Sequence, residues 1–118
     1  MHKVFLSLGS NLGDKLENLN NAITKISLNE HIKISLCSNI YQSKPMYNLN
    51  QDDFLNMVIE IKTNFRPIEL MKYIKDIEIL LGRSLDQKHN YPRIIDIDIL
   101  DYENQFFNTP ELTIPHPK

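Results

Sequence analysis

The sequence predicts an α+β domain in the order β-α-β-β-α-β, an antiparallel sheet with both helices on one face and the other face open. Three observations predict it. Two segments carry apolar residues at helical spacing, four carry them at every second position, and Gly, Pro, Asn and Asp gather between these segments. A chain of 118 residues suits one domain with one core, so 1–118 is expected to be a single unit.

Lys3 to Leu8 is a short apolar run that reads as a first strand, with Val4, Leu6 and Leu8 on one face. It ends in the turn-rich patch Gly9-Ser10-Asn11-Leu12-Gly13-Asp14. Asp14 is a good N-cap, and Glu17 three residues later comes close to completing a capping box. Leu16, Leu19, Ala22, Ile23 and Ile26 then recur at helical spacing, which predicts a helix over about 14–27 whose stripe packs on a sheet. His31 to Tyr41 alternates, with Ile32, Ile34 and Leu36 on one face, and reads as a second strand.

A long polar segment from Tyr41 to Asp53 follows, and loops of this length in a compact domain are either binding loops or disordered surface. Phe54 to Thr63 is the third strand, in which Leu55, Met57, Ile59 and Ile61 alternate with Asn56, Val58, Glu60 and Lys62. Phe54 and Asn56 share a face, an aromatic plate beside an amide that both donates and accepts. Such a pair can hold a flat heterocycle, although a strand-end aromatic beside a surface amide is the commoner meaning.

Pro67 opens a second helix over about 67–81, with Leu70, Ile74, Ile77 and Leu81 as its stripe and Gly82 as its C-terminal stop. Lys75 and Glu78 lie on a neighbouring face and read as a surface ion pair. The connection 83–93 is polar and basic, carrying Arg83, Lys88, His89 and Arg93. It leads into Pro92-Arg93-Ile94-Ile95-Asp96-Ile97-Asp98-Ile99-Leu100-Asp101. There Ile95, Ile97 and Ile99 line one face of a strand, and Asp96 and Asp98 line the other. The two aspartate Cα atoms should stand roughly 6.5–7 Å apart. Like charges side by side on a strand repel, so something must offset them. A divalent cation and an arginine are the candidates, and Mg²⁺, which takes one or two carboxylates plus phosphate oxygens, suits the pair. A solvated outer face is the competing meaning of the same pattern. Glu103-Asn104-Gln105 is a turn into a short strand at Phe106-Phe107, and His116 stands between two prolines in a stiff, extended end segment.

The element order is the split βαβ, ferredoxin-like arrangement. Its two helices would cover the Ile, Leu and Val face, leaving Phe54, Asn56, Asp96 and Asp98 together on the open side. Composition narrows the function classes. Apolar content of 42% and charged content of 24% are ordinary for a soluble protein. A net charge of -2 gives no general pull toward nucleic acid or an anionic membrane, so any anion must meet a local cluster of cations. Cys37 is the single cysteine, which excludes an internal disulfide and a Cys-based metal site and fits a reducing cytosol. The apolar run at the start is too short for a signal peptide, and none approaches the roughly 18 residues needed to span a bilayer. The expectation from these totals is a cytoplasmic single domain without nucleic-acid or membrane partners.

With these residues in view the chain resembles the 6-hydroxymethyl-7,8-dihydropterin pyrophosphokinase family of folate biosynthesis. The matching stretches are Leu8-Gly9-Ser10-Asn11-Leu12-Gly13, Tyr41-Gln42-Ser43-Lys44-Pro45, Phe54-Leu55-Asn56, Ile77-Glu78 with Gly82-Arg83, Pro92 to Leu100, and Leu112-Thr113-Ile114-Pro115-His116-Pro117. The resemblance implies Mg²⁺-dependent transfer of diphosphate from ATP to the hydroxymethyl group of the pterin, with AMP released. It implies that Asp96 and Asp98 hold two Mg²⁺ ions, and that Ser43, Met46, Phe54 and Asn56, with Asp96, form the pterin pocket. It implies that Glu78, Arg83, Arg93, Ile99, Leu112, Thr113 and His116 surround the nucleotide, Arg93 and His116 nearest the phosphates and Arg93 joining the two aspartates in catalysis.

The chain departs from the family pattern in several places. Leu85 stands where a second basic residue is usual, Asn90 where a loop tryptophan is common, Lys75 where a glutamine is common, and Lys44 at the first of a usual Pro-Pro pair. Family members continue after Pro-His-Pro with an arginine, a phenylalanine and a further strand and helix, so a C-terminally shortened member is expected here. The alternative is a family member that binds pterin or nucleotide without catalysis. An RNA-binding sheet of similar topology needs exposed aromatics on central strands and a basic surface, and the sequence is read as offering neither.

Overall fold

The computed structural model describes residues 1–45, 51–82, 94–103, 107–108 and 113–114. Its elements are β1 (His2–Ser10), α1 (Lys15–Ser27), β2 (Ile32–Cys37), β3 (Tyr41–Ser43), β4 (Phe54–Thr63), α2 (Pro67–Leu80), β5 (Asp96–Tyr102), β6 (Phe107–Asn108) and β7 (Thr113–Ile114). The main sheet runs β2-β4-β1-β5 with every pairing antiparallel, and β3 adds to the far end of β4. Both helices lie on the face that carries Val4, Leu6, Leu8, Met57, Ile59, Ile61, Ile95, Ile97 and Ile99. They contribute Leu19, Ala22 and Ile26 from α1 and Leu70, Ile74 and Ile77 from α2. This is the expected ferredoxin-like α+β arrangement.

Local signals explain where the helices start. Asp14 caps α1 by accepting from the Glu17 N–H at 3.1 Å. α2 opens with Pro67 at its first turn, and Glu69 reaches back to accept the Arg66 N–H at 2.8 Å. Leu81 closes α2, and Gly82 follows at φ 114, a conformation that side chains rarely adopt. Thr63 is fully buried at the end of β4, where its hydroxyl donates to the His31 carbonyl and accepts the Phe65 N–H.

Several expectations are corrected. The second strand stops at Cys37, and Tyr41–Ser43, expected as loop, is the separate strand β3. A bulge in β2 between Ile34 and Leu36 changes the parity of the strand. Leu36 therefore pairs with Glu60 on the open face and is 65% exposed, away from the core face shared by Ile32 and Ile34. Leu16, expected in the stripe of α1, lies in the helix's first turn and is 49% exposed, the buried stripe beginning at Leu19. Of the expected strand at Phe106-Phe107, Phe107 lies in β6 (Phe107–Asn108), paired with β7, and Phe106 lies outside the described residues. β5 carries a second bulge, opposite Phe5 and Leu6 of β1, after which Tyr102 and not Asp101 faces the core. The Tyr102 hydroxyl donates to the Phe65 carbonyl, tying β5 to the turn before α2. Among the described residues no helix is long and apolar enough to cross a membrane.

The hydrogen bonds from Arg66 hold the Glu69 carboxyl below its ordinary value of 4.5, the backbone N–H contributing most. A carboxyl depressed on folding stabilises the fold above its unfolded pKa, and that contribution is lost as pH falls through the folded value. Glu69→Gln is therefore expected to lower stability at pH 7 and to lose its effect in acid below pH 4.5. Urea unfolding at several pH values checks this; a difference that stays constant with pH would contradict it.

Candidate functional site

The open face of the sheet takes its layout from the register of three strands. Residues directly opposed in an antiparallel pair share a face. Gly9 is opposed by Asn56 of β4 on one side and by Asp96 of β5 on the other. Ser7 is likewise opposed by Val58 and Asp98. Two ranks therefore cross the sheet, Asn56–Gly9–Asp96 and Val58–Ser7–Asp98, with an aspartate at the β5 end of each. Adjacent strands lie about 4.8 Å apart, so Asn56 and Asp96 are separated by roughly 10 Å with a glycine between them. Both aspartates are half-buried.

Gly9 was expected in a turn, yet it lies inside β1, which continues to Ser10. A Cβ at Gly9 would stand 3.0 Å from Asn56 Oδ1 and 3.3 Å from Phe54 Cδ1. The missing side chain thus leaves a flat floor below Asn56 and Phe54. A glycine in a strand interior often marks close approach by a ligand, and that signal was available in Leu8-Gly9-Ser10. The Asn56 Nδ2 donates to Ser43 Oγ at 2.8 Å and to the Tyr41 carbonyl at 3.3 Å. Those bonds orient the amide and leave its oxygen as the atom nearest Gly9.

The patch after Gly9 anchors the approach to β4. Asn11 is 2% exposed, and its Nδ2 donates to Gln51 Oε1 at 2.8 Å and to the Asp52 carbonyl at 3.3 Å. Lys15 Nζ donates to the Asp53 carbonyl at 2.9 Å. The chain is thereby held just before Phe54. Asn18 in turn ties Ser10 Oγ and the Leu12 carbonyl together.

Of the residues singled out in the sequence, Ser43, Phe54, Asn56, Asp96 and Asp98 come together on the open face. Ile99 faces the core at 3% exposure, so only its main chain is available to a ligand. Glu78, expected on the surface, is buried at 1% exposure under β5. Its Oε2 accepts the Ile97 N–H at 2.7 Å, and its Oε1 lies 3.5 Å from Lys75 Nζ. The helical stripe is wider at the end of α2 than its apolar residues suggest, because β5 runs beneath it. Thr113 belongs to β7. Met46, Arg83, Lys88, His89, Arg93, Leu112 and His116 lie outside the described residues. Phe5 also joins the open face, with Lys3 Nζ 5.9 Å from its ring centroid, so the central strands do carry two aromatics there, Phe5 and Phe54. Phe5 is opposed by Glu60, whose carboxylate lies 3.5 Å from Lys3 Nζ, and the neighbouring ranks end in aspartates. Phosphate-backbone binding is poorly served by such a face.

Among the described residues no cluster of three His, Cys, Asp or Glu side chains forms a closed metal cage. Two carboxylates on one stiff strand are an open donor set. That set fits a hard cation sharing its remaining positions with water and phosphate oxygens, and fits structural zinc poorly.

The chain matches the family model for 7,8-dihydro-6-hydroxymethylpterin-pyrophosphokinase (HPPK) over residues 5–118. It is 43% identical over 117 residues to the 2-amino-4-hydroxy-6-hydroxymethyldihydropteridine pyrophosphokinase of Aquifex aeolicus, covering 99% of this chain and 71% of that protein. The Bacillus subtilis protein of the same name is 35% identical over 114 residues, covering 97% of this chain and 68% of that one. The folic acid synthesis protein FOL1 of Dictyostelium discoideum is 41% identical, and the match spans 97% of this chain but 17% of that protein. The bifunctional FolKE proteins of Lactococcus lactis are spanned to 33%. A solved structure titled as HPPK-DHPS in complex with substrates superposes with a TM-score of 0.60 at 16% identity, covering 90% of this chain and 28% of that one, a likeness of fold.

Gly9→Ala is expected to leave cooperative unfolding in place while displacing the Asn56 amide, because the new Cβ meets Oδ1 at 3.0 Å. The side-chain amide resonances of Asn56 report it; resonances identical to the parent's would show that the floor has slack.

Proposed function

The chain belongs to the 7,8-dihydro-6-hydroxymethylpterin-pyrophosphokinase family, and from that premise we propose that it transfers diphosphate from ATP to the hydroxymethyl group of 6-hydroxymethyl-7,8-dihydropterin. The observation that carries the reading is the rank Asn56–Gly9–Asp96. It sets an oriented amide and an aromatic ring at one end of a glycine floor and a carboxylate at the other. With the two backbones roughly 10 Å apart, a flat heterocycle held by the amide and the ring directs its substituent toward Asp96.

In this reading Phe54 stacks on the pterin and Asn56 hydrogen-bonds its edge, held in orientation by Ser43. The pterin hydroxymethyl oxygen forms a bond to the β-phosphorus of ATP. The bond from that phosphorus to the oxygen it shares with the α-phosphate breaks, and AMP leaves carrying that oxygen. The hydroxyl proton passes to Asp96 or to solvent. Asp96 and Asp98 would hold two magnesium ions. Bound magnesium supplies neutralisation of the phosphate charge that a displacement brings together. Ile99 contributes its main chain to the nucleotide, while Arg83, Arg93, Leu112, Thr113 and His116 surround the phosphates and base as the family pattern has them. The protein works as a cytoplasmic monomer on these small molecules.

Incubating the chain with ATP, Mg²⁺ and the pterin alcohol is expected to yield AMP and the pterin diphosphate. Binding of both substrates without AMP would overturn the catalytic reading in favour of a binding module. The two ends of the rank are expected to separate under mutation. Asp98→Asn should abolish Mg²⁺-dependent nucleotide binding, and Asn56→Ala should weaken the pterin by about tenfold, as losing one hydrogen bond does, while leaving ATP affinity alone. Calorimetric titration of each ligand checks both, and equal loss of both ligands in either variant would refute the assignment.

A further inference from the structure

We infer that Glu78 is a positioning residue for the two aspartates, holding the outer edge of β5 at the Ile97 peptide N–H, the one between them that turns away from β1. The inference rests on the functional reading above for what the aspartates bind. On the described sheet β5 pairs with β1 on one side only. The N–H of Ile97 turns to the other side, and there it donates to Glu78 Oε2 at 2.7 Å. The Glu78 side chain rises from α2 on the helix-covered face, opposite the face that carries Asp96 and Asp98.

The chemistry of the position argues against packing as its purpose. Glu78 is 1% exposed, and an aliphatic side chain of that size would fill the space without desolvating a charge. A carboxylate there provides what an aliphatic group does not, a charge-assisted acceptor for the strand. Its second oxygen faces Lys75 Nζ at 3.5 Å, so the helix supplies a counter-charge as well. Ile97 is the residue between the aspartates. Fixing its peptide therefore fixes the local pleat, and with it the separation and tilt of the two carboxylates on the far face. Groups that orient metal-binding side chains from behind typically tune affinity as strongly as some direct contacts do. The assignment replaces direct nucleotide contact as the role of Glu78.

The test compares Glu78→Gln, which keeps an acceptor oxygen for Ile97, with Glu78→Leu, which removes it at similar volume. In Glu78→Leu the Ile97 amide is expected to lose hydrogen-exchange protection. The Mg²⁺ concentration that half-saturates binding of a non-hydrolysable ATP analogue should rise by about 10–100-fold. Pterin affinity should fall far less than the Mg²⁺-dependent nucleotide affinity, because Phe54, Asn56 and Ser43, which hold the ring, do not touch this edge. Glu78→Gln should restore the Ile97 protection and most of the Mg²⁺ dependence. Unchanged protection and Mg²⁺ dependence in Glu78→Leu, equal defects in the two variants, or parallel loss of the pterin would each overturn the proposal. If the parent chain shows no Mg²⁺-dependent nucleotide binding, the functional reading fails by itself. The hold on β5 is then decided by Ile97 exchange in the two variants alone.

Discussion

β1 is hydrogen-bonded on both sides, to β4 from His2 to Ser10 and to β5 from Val4 to Gly9. That double pairing brings residues 56 and 96 into one rank although 40 positions separate them in the chain. A slip of one residue in either pairing would turn Asn56 or Asp96 into the core and an isoleucine or leucine outward. Val4, Leu6 and Leu8 are each fully buried in the core on the helix-covered face, so the register is enforced by the core underneath. The open face inherits its precision from the closed one. Gly9 completes the arrangement by contributing nothing above the backbone.

The electrostatic cost of the site is concentrated on β5. Aspartates at alternate positions repel, and β propensity opposes both. The structure answers on the reverse side, where Ile95, Ile97 and Ile99 are at most 3% exposed and Glu78 holds the intervening peptide. Burial of three isoleucines stabilises by several kcal/mol, on the order of 1.5–3 kcal/mol for each, which exceeds the repulsion of two half-exposed charges. Strand β5 can therefore present two like charges without losing its place. The patch from Ser10 to Lys15 does comparable work for the other end of the rank, by tying residues 51–53 directly ahead of Phe54.

Regular elements were legible where a single period ran without interruption. β4 occupies Phe54–Thr63 as its alternation predicts, and α2 begins at Pro67 and stops before Gly82 as its capping residues predict. Legibility failed where parity changed. The bulges in β2 and β5 each insert one residue, so Leu36 turns outward and Tyr102 inward against strict alternation. It failed also for Glu78, since a charged residue three positions from a lysine reads as a surface pair when the strand beneath it is unknown. Gly9 read as a turn because a glycine beside serine and asparagine has that meaning locally.

By itself the amino-acid order determined the four long strands and two helices in their order, the apolar face of each as far as the first bulge, and the chemistry on offer, namely two carboxylates, one amide and one aromatic on strands. These follow from side-chain period and residue type, which are local properties. Only the tertiary structure decided that Asn56, Gly9 and Asp96 stand in one rank, that the strand between the aspartates is held from behind by a buried glutamate, and that two bulges redirect Leu36 and Tyr102. Register and long-range hydrogen bonding are set by the whole core at once, and no window of the chain contains them.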